Sequence, residues 1–353
     1  MNTMGIFSEN KPGTGFVRKL FVITTLALLA TIPISANIKS GKDKEDLKER
    51  LLPVITQDAA KAHVGFLASD ALEGRRTGHK GAEVARQYII SQLRQWGIAP
   101  ADSSYMQPSF AYSEDRQRRK RYQINPDSVA KLVQGIHRKL NLANVVSMIK
   151  GKNGNEYVVV GAHFDHEGTD PELSGDKIYN GADDNASGVS AVLQLAKTLS
   201  AADVEPECNI VFAFWDGEEH GLLGSRYFVS QCPYIKNIKC YINFDMVGRD
   251  KNPDKPRHVV YFYTASHPEF GRWMKDGITR HDLALEPEYK PWDNPVGGSD
   301  NGSFARVGVP IIWFHTDGHP DYHKPSDEAS RINYPKLTEI TRAALIDVIE
   351  LAY

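Results

Sequence analysis

Five side chains of metal-binding type stand in short, distinctive settings along this chain. They are His163 in V-V-V-G-A-H-F-D, Asp184 in G-A-D-D-N-A-S-G, Glu219 in W-D-G-E-E-H-G, Asp245 in Y-I-N-F-D-M-V-G and His323 in H-P-D-Y-H-K-P-S-D. Two imidazoles and three carboxylates can hold two divalent cations if one carboxylate is shared between them. Asp184, set among glycine and small residues just before a helical pattern, is read as the shared ligand. Glu218, immediately before Glu219, is then free to work as a general base on water. The constellation reads as a metallohydrolase.

Each residue also has a plainer reading. Adjacent carboxylates such as Glu218 and Glu219 repel one another unless cations or protons lie between them. A solvated surface pair is the bland alternative, but the run Val211-Phe212-Ala213-Phe214-Trp215 buries their approach. Asp183 and Asp184 could both be helix-capping acids, a role that suits Asp183 better. Asp165, two residues after His163, either accepts a hydrogen bond from the second ring nitrogen of His163 or supports its loop. His319 is a lesser candidate for a substrate or supporting contact. His166, His220 and His315 read as structural or surface histidines. Asp184, Glu218, Glu219 and Asp245 together would crowd negative charge into one cleft, and two divalent cations would offset it. Mixed imidazole and carboxylate donors suit zinc.

The surrounding pattern is that of an α/β protein. Strands are predicted at Val145 to Ile149, Tyr157 to Gly161, Ile210 to Trp215, Cys240 to Phe244, Val259 to Tyr263 and Pro310 to Phe314. Helices fit Ser187 to Leu199, Ser225 to Ser230, Glu269 to Ile278 and Lys336 to Ala352. Near-continuous apolar strands separated by helices predict a mixed, mainly parallel sheet covered on both faces. Earlier in the chain, one helix starts near Thr56 or Asp58, and another runs from about Gly81 to a stop at Gly97. In open α/β sheets, ligands bind beyond the carboxyl ends of the strands. His163, the Glu218-Glu219 pair and Asp245 all follow predicted strands there, so three strands deliver ligands to one edge.

With 353 residues the chain has room for one large α/β domain but not for two and a linker. A formal charge of −2 gives no pull toward nucleic acid or an anionic membrane surface. Arg116 to Arg121 is a basic run within an irregular insert at about 105–140, and it reads as a solvated excursion. Residues 1–36 have the layout of a signal peptide: Arg18 and Lys19, an apolar run from Leu20 to Ala30, then small residues near Ser35-Ala36. That layout predicts export to the periplasm or the exterior, with residues 37–353 as a single domain and no stable membrane anchor. Cys208, Cys232 and Cys240 make no disulfide framework; one bridge among them is open. Oligomeric state is not legible.

In order, H-x-D, G-A-D-D-x-A-S-G, G-E-E-x-G-L-x-G-S, D-M and D-Y-H-x-P-S-D resemble the co-catalytic zinc aminopeptidases, secreted exopeptidases related to glutamate carboxypeptidase and glutaminyl cyclase. The match runs from about Leu67, where L-E-G-R-R-T-G looks like a family signature, to the C-terminus. The resemblance implies a phosphorylase-like three-layer α/β/α sandwich. It implies one zinc on His163, Asp184 and Asp245 and a second on Asp184, Glu219 and His323. It makes Glu218 the general base and Asp165 the partner of His163. The implied reaction is removal of residues from peptides with a free N-terminus. Alternatives on the same scaffold are a glutaminyl cyclase, a carboxypeptidase-type preference and a non-catalytic binding ectodomain. The direct run from Glu219 into His220-Gly221-Leu222-Leu223-Gly224-Ser225 is the peptidase-like form. Side-chain pocket residues are expected from the loops around Trp292 to Phe304 and from the irregular N-terminal stretch.

Overall fold

The computed structural model describes residues 41–114, 122–125, 127, 129–130, 137–293 and 297–353. The signal-peptide reading and the basic run at 116–121 lie outside these. A nine-stranded sheet is built from β1 (Ala99–Pro100), β2 (Met106–Glu114), β3 (His137–Ile149), β4 (Asn153–His163), β7 (Cys208–Trp215), β8 (Ile238–Phe244), β9 (His258–Tyr263), β10 (Glu286–Pro291) and β11 (Ile311–His315). A separate two-stranded ribbon pairs β5 (Gly168–Thr169) with β6 (Ile178–Tyr179).

The sheet order is β1-β3-β7-β4-β8-β11-β9-β10, with β2 also on β3. Its centre, β7-β4-β8-β11, is parallel, and antiparallel pairs flank it at β3–β7 and β11–β9. Alternate residues of the central strands serve two cores. Val158, Val160, Ile210, Phe212 and Phe214 join the larger cluster on one face, while Val159, Val211, Ala213 and Trp215 join the cluster on the other. Both faces of each strand are buried, so the strands read as unbroken apolar runs.

The larger core is covered by α1 (Gly41–Leu51), α2 (Gln57–Leu67), α3 (Lys80–Gln95), α4 (Gly188–Ser200), α6 (Pro268–His281) and α8 (Tyr334–Ala352). The other face is covered by α5 (Leu223–Gln231) and the short α7 (Asn301–Ala305). Thr56 caps α2 by accepting the Ala59 N–H, as predicted. The expected irregular insert is corrected in its described part. Its two ends are long antiparallel strands, β2 and β3, paired from Met106 with Val145 to Glu114 with His137. The alternating apolar pattern there is weak because much of the ribbon is exposed, Phe110 included. The three cysteines are unpaired and buried. No helix among the described residues is long and apolar enough to cross a membrane.

One buried cation ties the N-terminal segment to the sheet edge. Arg75 is 1% exposed and donates to four backbone carbonyls: Leu67 and Asn180 at 2.6 Å, Phe164 and Gly181 at 2.9 Å. Burial lowers its pKa to about 10, against the pull of Asp184, Asp327, Asp165 and Glu219, so it stays charged at neutral pH. Methionine at this position keeps the volume but leaves those carbonyls without a donor. Arg75→Met is expected to cost about 3–5 kcal/mol, seen as a melting temperature lower by roughly 5–15 °C. An unchanged thermal transition would show that Arg75 is not the tie.

Candidate active site

His163 ends β4, while Glu218 and Glu219 follow β7 and Asp245 follows β8. These strands are adjacent and parallel, so their carboxyl ends meet at one edge. Asp184 comes from the turn before α4. His323 comes from the loop after β11, the next parallel strand. All five predicted ligands therefore converge, with Glu218 beside them in the same cleft.

They converge as two overlapping groups sharing Asp184. His163 Nε2 lies 3.2 Å from Asp184 Oδ1 and 3.7 Å from Asp245 Oδ1. His323 Nε2 lies 3.0 Å from Asp184 Oδ2 and 3.2 Å from Glu219 Oε2. Asp184 thus turns a different oxygen to each group, which is what a bridging carboxylate must do. Donors about 2.0–2.1 Å from one tetrahedral ion sit roughly 3.3 Å apart, so the spacing fits zinc in both groups. A third group of metal-binding types, His258, Glu288 and Asp317, is less persuasive. Lys290 and Lys251 already pair with its two acids.

Hydrogen bonds hold the ligand loops to one another. Asn185 donates to the Phe244 carbonyl at 2.9 Å and accepts from the Gly188 and Met246 N–H groups, joining the Asp184 and Asp245 loops. Asp183 accepts the Gly248 N–H at 2.6 Å, so it braces that same junction rather than capping a helix. Asp327 accepts from the Asp183 and Asp184 N–H groups. Gly181 has φ +56°, and a Cβ there would lie 2.2 Å from the Asp184 carbonyl oxygen and 2.5 Å from the His166 ring. Only glycine lets the turn close so tightly.

The Asp165 carboxylate takes neither of its two expected roles, because it bonds a different loop from that of His163. His163 Nδ1 is 3.2 Å from the Asp165 backbone carbonyl, while the carboxylate oxygen stands 3.8 Å away, beyond hydrogen-bond reach. The Asp165 side chain instead accepts the Glu218 and Glu219 N–H groups at 3.0 and 3.4 Å and the Thr77 hydroxyl at 2.9 Å. Thr77 also lies 2.9 Å from Asp216, which in turn is 3.3 Å from Arg86. Asp165 therefore positions the turn that carries Glu218 and Glu219.

His166 is corrected. It is not a bystander, since its Nδ1 is 2.8 Å from Glu219 Oε1 and it belongs to the His323 group. A second imidazole three residues after His163 on one loop was the available signal, but periodicity in a loop has no fixed facing. His319 stands 3.3 Å from Asp183, His315 bonds the Asp245 carbonyl at 2.7 Å, and His220 packs on Tyr122. Asp300 lies within the Trp292 to Phe304 stretch from which pocket residues are expected. It is fully buried, and burial pushes its pKa up to about 7.

A cleft of about 250 Å³ opens over the site. Asp184, Glu218 and Asp245 line it together with Met246, Trp313, Tyr322, His315 and Gly298. Of the loop expected to line it, Gly298 does so, whereas Trp292 is exposed beyond β10. The described lining residues include no lysine or arginine.

Residues 144–346, more than half of the chain, match peptidase family M28. The chain belongs to this family. Among curated M28-like relatives, leupeptin-inactivating enzyme 1 of Streptomyces exfoliatus is 29% identical over 192 residues, covering 53% of this chain and 38% of that enzyme. The chain spans less than half the length of the curated relatives it matches. A zinc aminopeptidase from Bacillus subtilis shares the fold, with TM-score 0.62 and 16% identity over 84% of this chain and 95% of that one. Porphyromonas gingivalis glutaminyl cyclase shares it equally, with TM-score 0.62 and 16% identity over 84% and 99%. The M28 scaffold is therefore common to both chemistries.

The acids of the site favour the charged form of both donor imidazoles. Burial opposes charge on His323, but hydrogen bonds to Asp184 and Glu219 outweigh it and raise its pKa to about 10. Burial likewise opposes charge on His163, and Glu218, Asp184 and Asp245 lift its pKa well above the ordinary value. A metal ligand must be the neutral imidazole, so an entering cation displaces these protons. Below the raised pKa the proton competes. Zinc uptake should therefore release protons and tighten as pH rises from 6.5 toward 10, by roughly tenfold per pH unit for each proton displaced. Calorimetry in buffers of different ionisation enthalpy reads that release directly, and zero release would contradict the assignment.

Proposed function

We propose that this M28 protein is a zinc-dependent exopeptidase that removes residues from the N-terminus of peptides. The observation that carries the reading is the pair of donor groups sharing Asp184, opening onto an acidic cleft without a described basic residue. A free peptide N-terminus is an ammonium and is attracted to such a cleft. A C-terminal carboxylate would need a lysine or arginine to receive it. That favours an aminopeptidase over a carboxypeptidase.

His163, Asp184 and Asp245 would hold one zinc, and Asp184, Glu219 and His323 the other. Zinc at these positions supplies Lewis acidity toward water and toward the scissile carbonyl. Glu218 then takes the proton from the attacking water. Burial first, and the nearby Glu219, Asp300 and Asp245, raise its pKa well above the ordinary carboxyl value despite His163, which suits a group that must accept and return a proton. Once the carbonyl has been attacked, Glu218 passes the proton to the leaving amine. Asp165 keeps Glu218 in place through the main chain. Trp313, Met246 and Tyr322 offer an apolar wall to the first side chain. Export, resting on the layout of residues 1–36, belongs to the same proposal.

The zinc-loaded protein is expected to cleave leucyl anilides and to ignore N-acetylated ones. A pyroglutamyl product from glutaminyl peptides without amino-acid release would instead point to the cyclase chemistry of the same fold. Glu218→Gln is expected to keep its zinc while kcat falls by about 10²–10⁴-fold. Near-normal turnover in that variant would remove Glu218 from the role.

A further inference from the structure

Glu219 offers its two oxygens to two different imidazoles. Oε2 faces His323 Nε2 at 3.2 Å, inside the group that shares Asp184 Oδ2. Oε1, the outer oxygen as seen from His323, meets His166 Nδ1 at 2.8 Å. His166 Nδ1 is 3.8 Å from Asp184 Oδ2, so it approaches the shared ligand less closely than His323 does. We infer that His166 is a positioning residue for the second metal subsite: its Nδ1–H holds Glu219 by the outer oxygen and leaves the inner oxygen to the ion. The inference rests on the metal reading above.

The ring itself has almost no freedom. Its side chain is 0% exposed, the residue's main-chain N–H donates to the Arg75 carbonyl, and Gly181 lies against the ring so closely that a Cβ would touch it. Nε2 is buried and has no partner. The tautomer with hydrogen on Nδ1 fits, because it places the donor on the Glu219 carboxylate. A carboxylate whose outer oxygen is engaged cannot swing to bind the ion with both oxygens. Holding it in one pose also lowers the ordering cost when the ion arrives.

The donor can be separated from the ring's bulk. His166→Asn keeps an amide N–H near the Nδ1 position, whereas H166L fills the space with no donor. Zinc affinity of the full-length protein, measured with a competing chelator together with metal stoichiometry, is expected to fall about 10–100-fold at one of two sites in H166L. In H166N it should stay within a few-fold of the unaltered protein. Equal weakening in both variants would make His166 a direct ligand or a packing residue and overturn the inference. So would unchanged affinity in H166L. If H166L does not fold, H166Q takes its place, since its longer amide reaches the Nε2 position instead. Unaltered protein that binds no zinc would sink the metal reading itself. Two bound ions with an indifferent H166L would sink this inference alone.

Discussion

Carboxylates brought within a few ångströms of one another in a poorly solvated cleft cannot all remain ionised unless positive charge lies among them. Asp184, Glu218, Glu219 and Asp245 meet under that constraint, and much of the surrounding structure answers it. The donor imidazoles His163 and His323 sit between the acids, so protons or cations are drawn to the same points. Behind them Arg75 adds a fixed charge that bonds only to carbonyls. The site is thus a place where cation binding relieves a repulsion already built into the fold.

That arrangement persists because no ligand loop is free to relax alone. Arg75 joins the α2 end to the loops at Phe164 and at Asn180–Gly181. Asn185 and Asp183 join the Asp184 turn to the segment after β8, and Asp327 joins the same turn to the His323 loop. Asp165 reaches across to the Glu218–Glu219 turn, with Thr77 and Asp216 behind it. Each bond is modest in isolation, near 1 kcal/mol. Their closed circuit means that moving one donor strains several others, which is how loops acquire the rigidity that metal geometry demands.

The cleft mixes two kinds of lining: the acids Asp184, Glu218 and Asp245, and the larger side chains Met246, Trp313 and the exposed Tyr322. An ammonium bound beside an apolar side chain meets both requirements at once. A zinc aminopeptidase and a glutaminyl cyclase share this fold alike, so the fold does not choose between them. The choice lies in the site.

Six strands and four helices after Asn144, the five converging donors and Glu218 beside them were legible in the chain itself. Apolar runs flanked by polar, glycine-rich turns leave few arrangements other than a covered sheet, and strand ends place their following residues at one edge. Three things were not legible. The stretch at 105–140 hid two long strands, because a largely exposed ribbon carries little apolar alternation. Asp165 was named, but whether its carboxylate or its carbonyl would face His163 depends on the path of a loop. His166 looked ordinary, because a histidine's role is set by what approaches each ring nitrogen, and Glu219 approaches from the turn after β7, 53 residues later. Residue types and spacing determined which chemistry was available. Contacts between distant loops, which no local pattern encodes, decided which atoms carry it and which hold those atoms still.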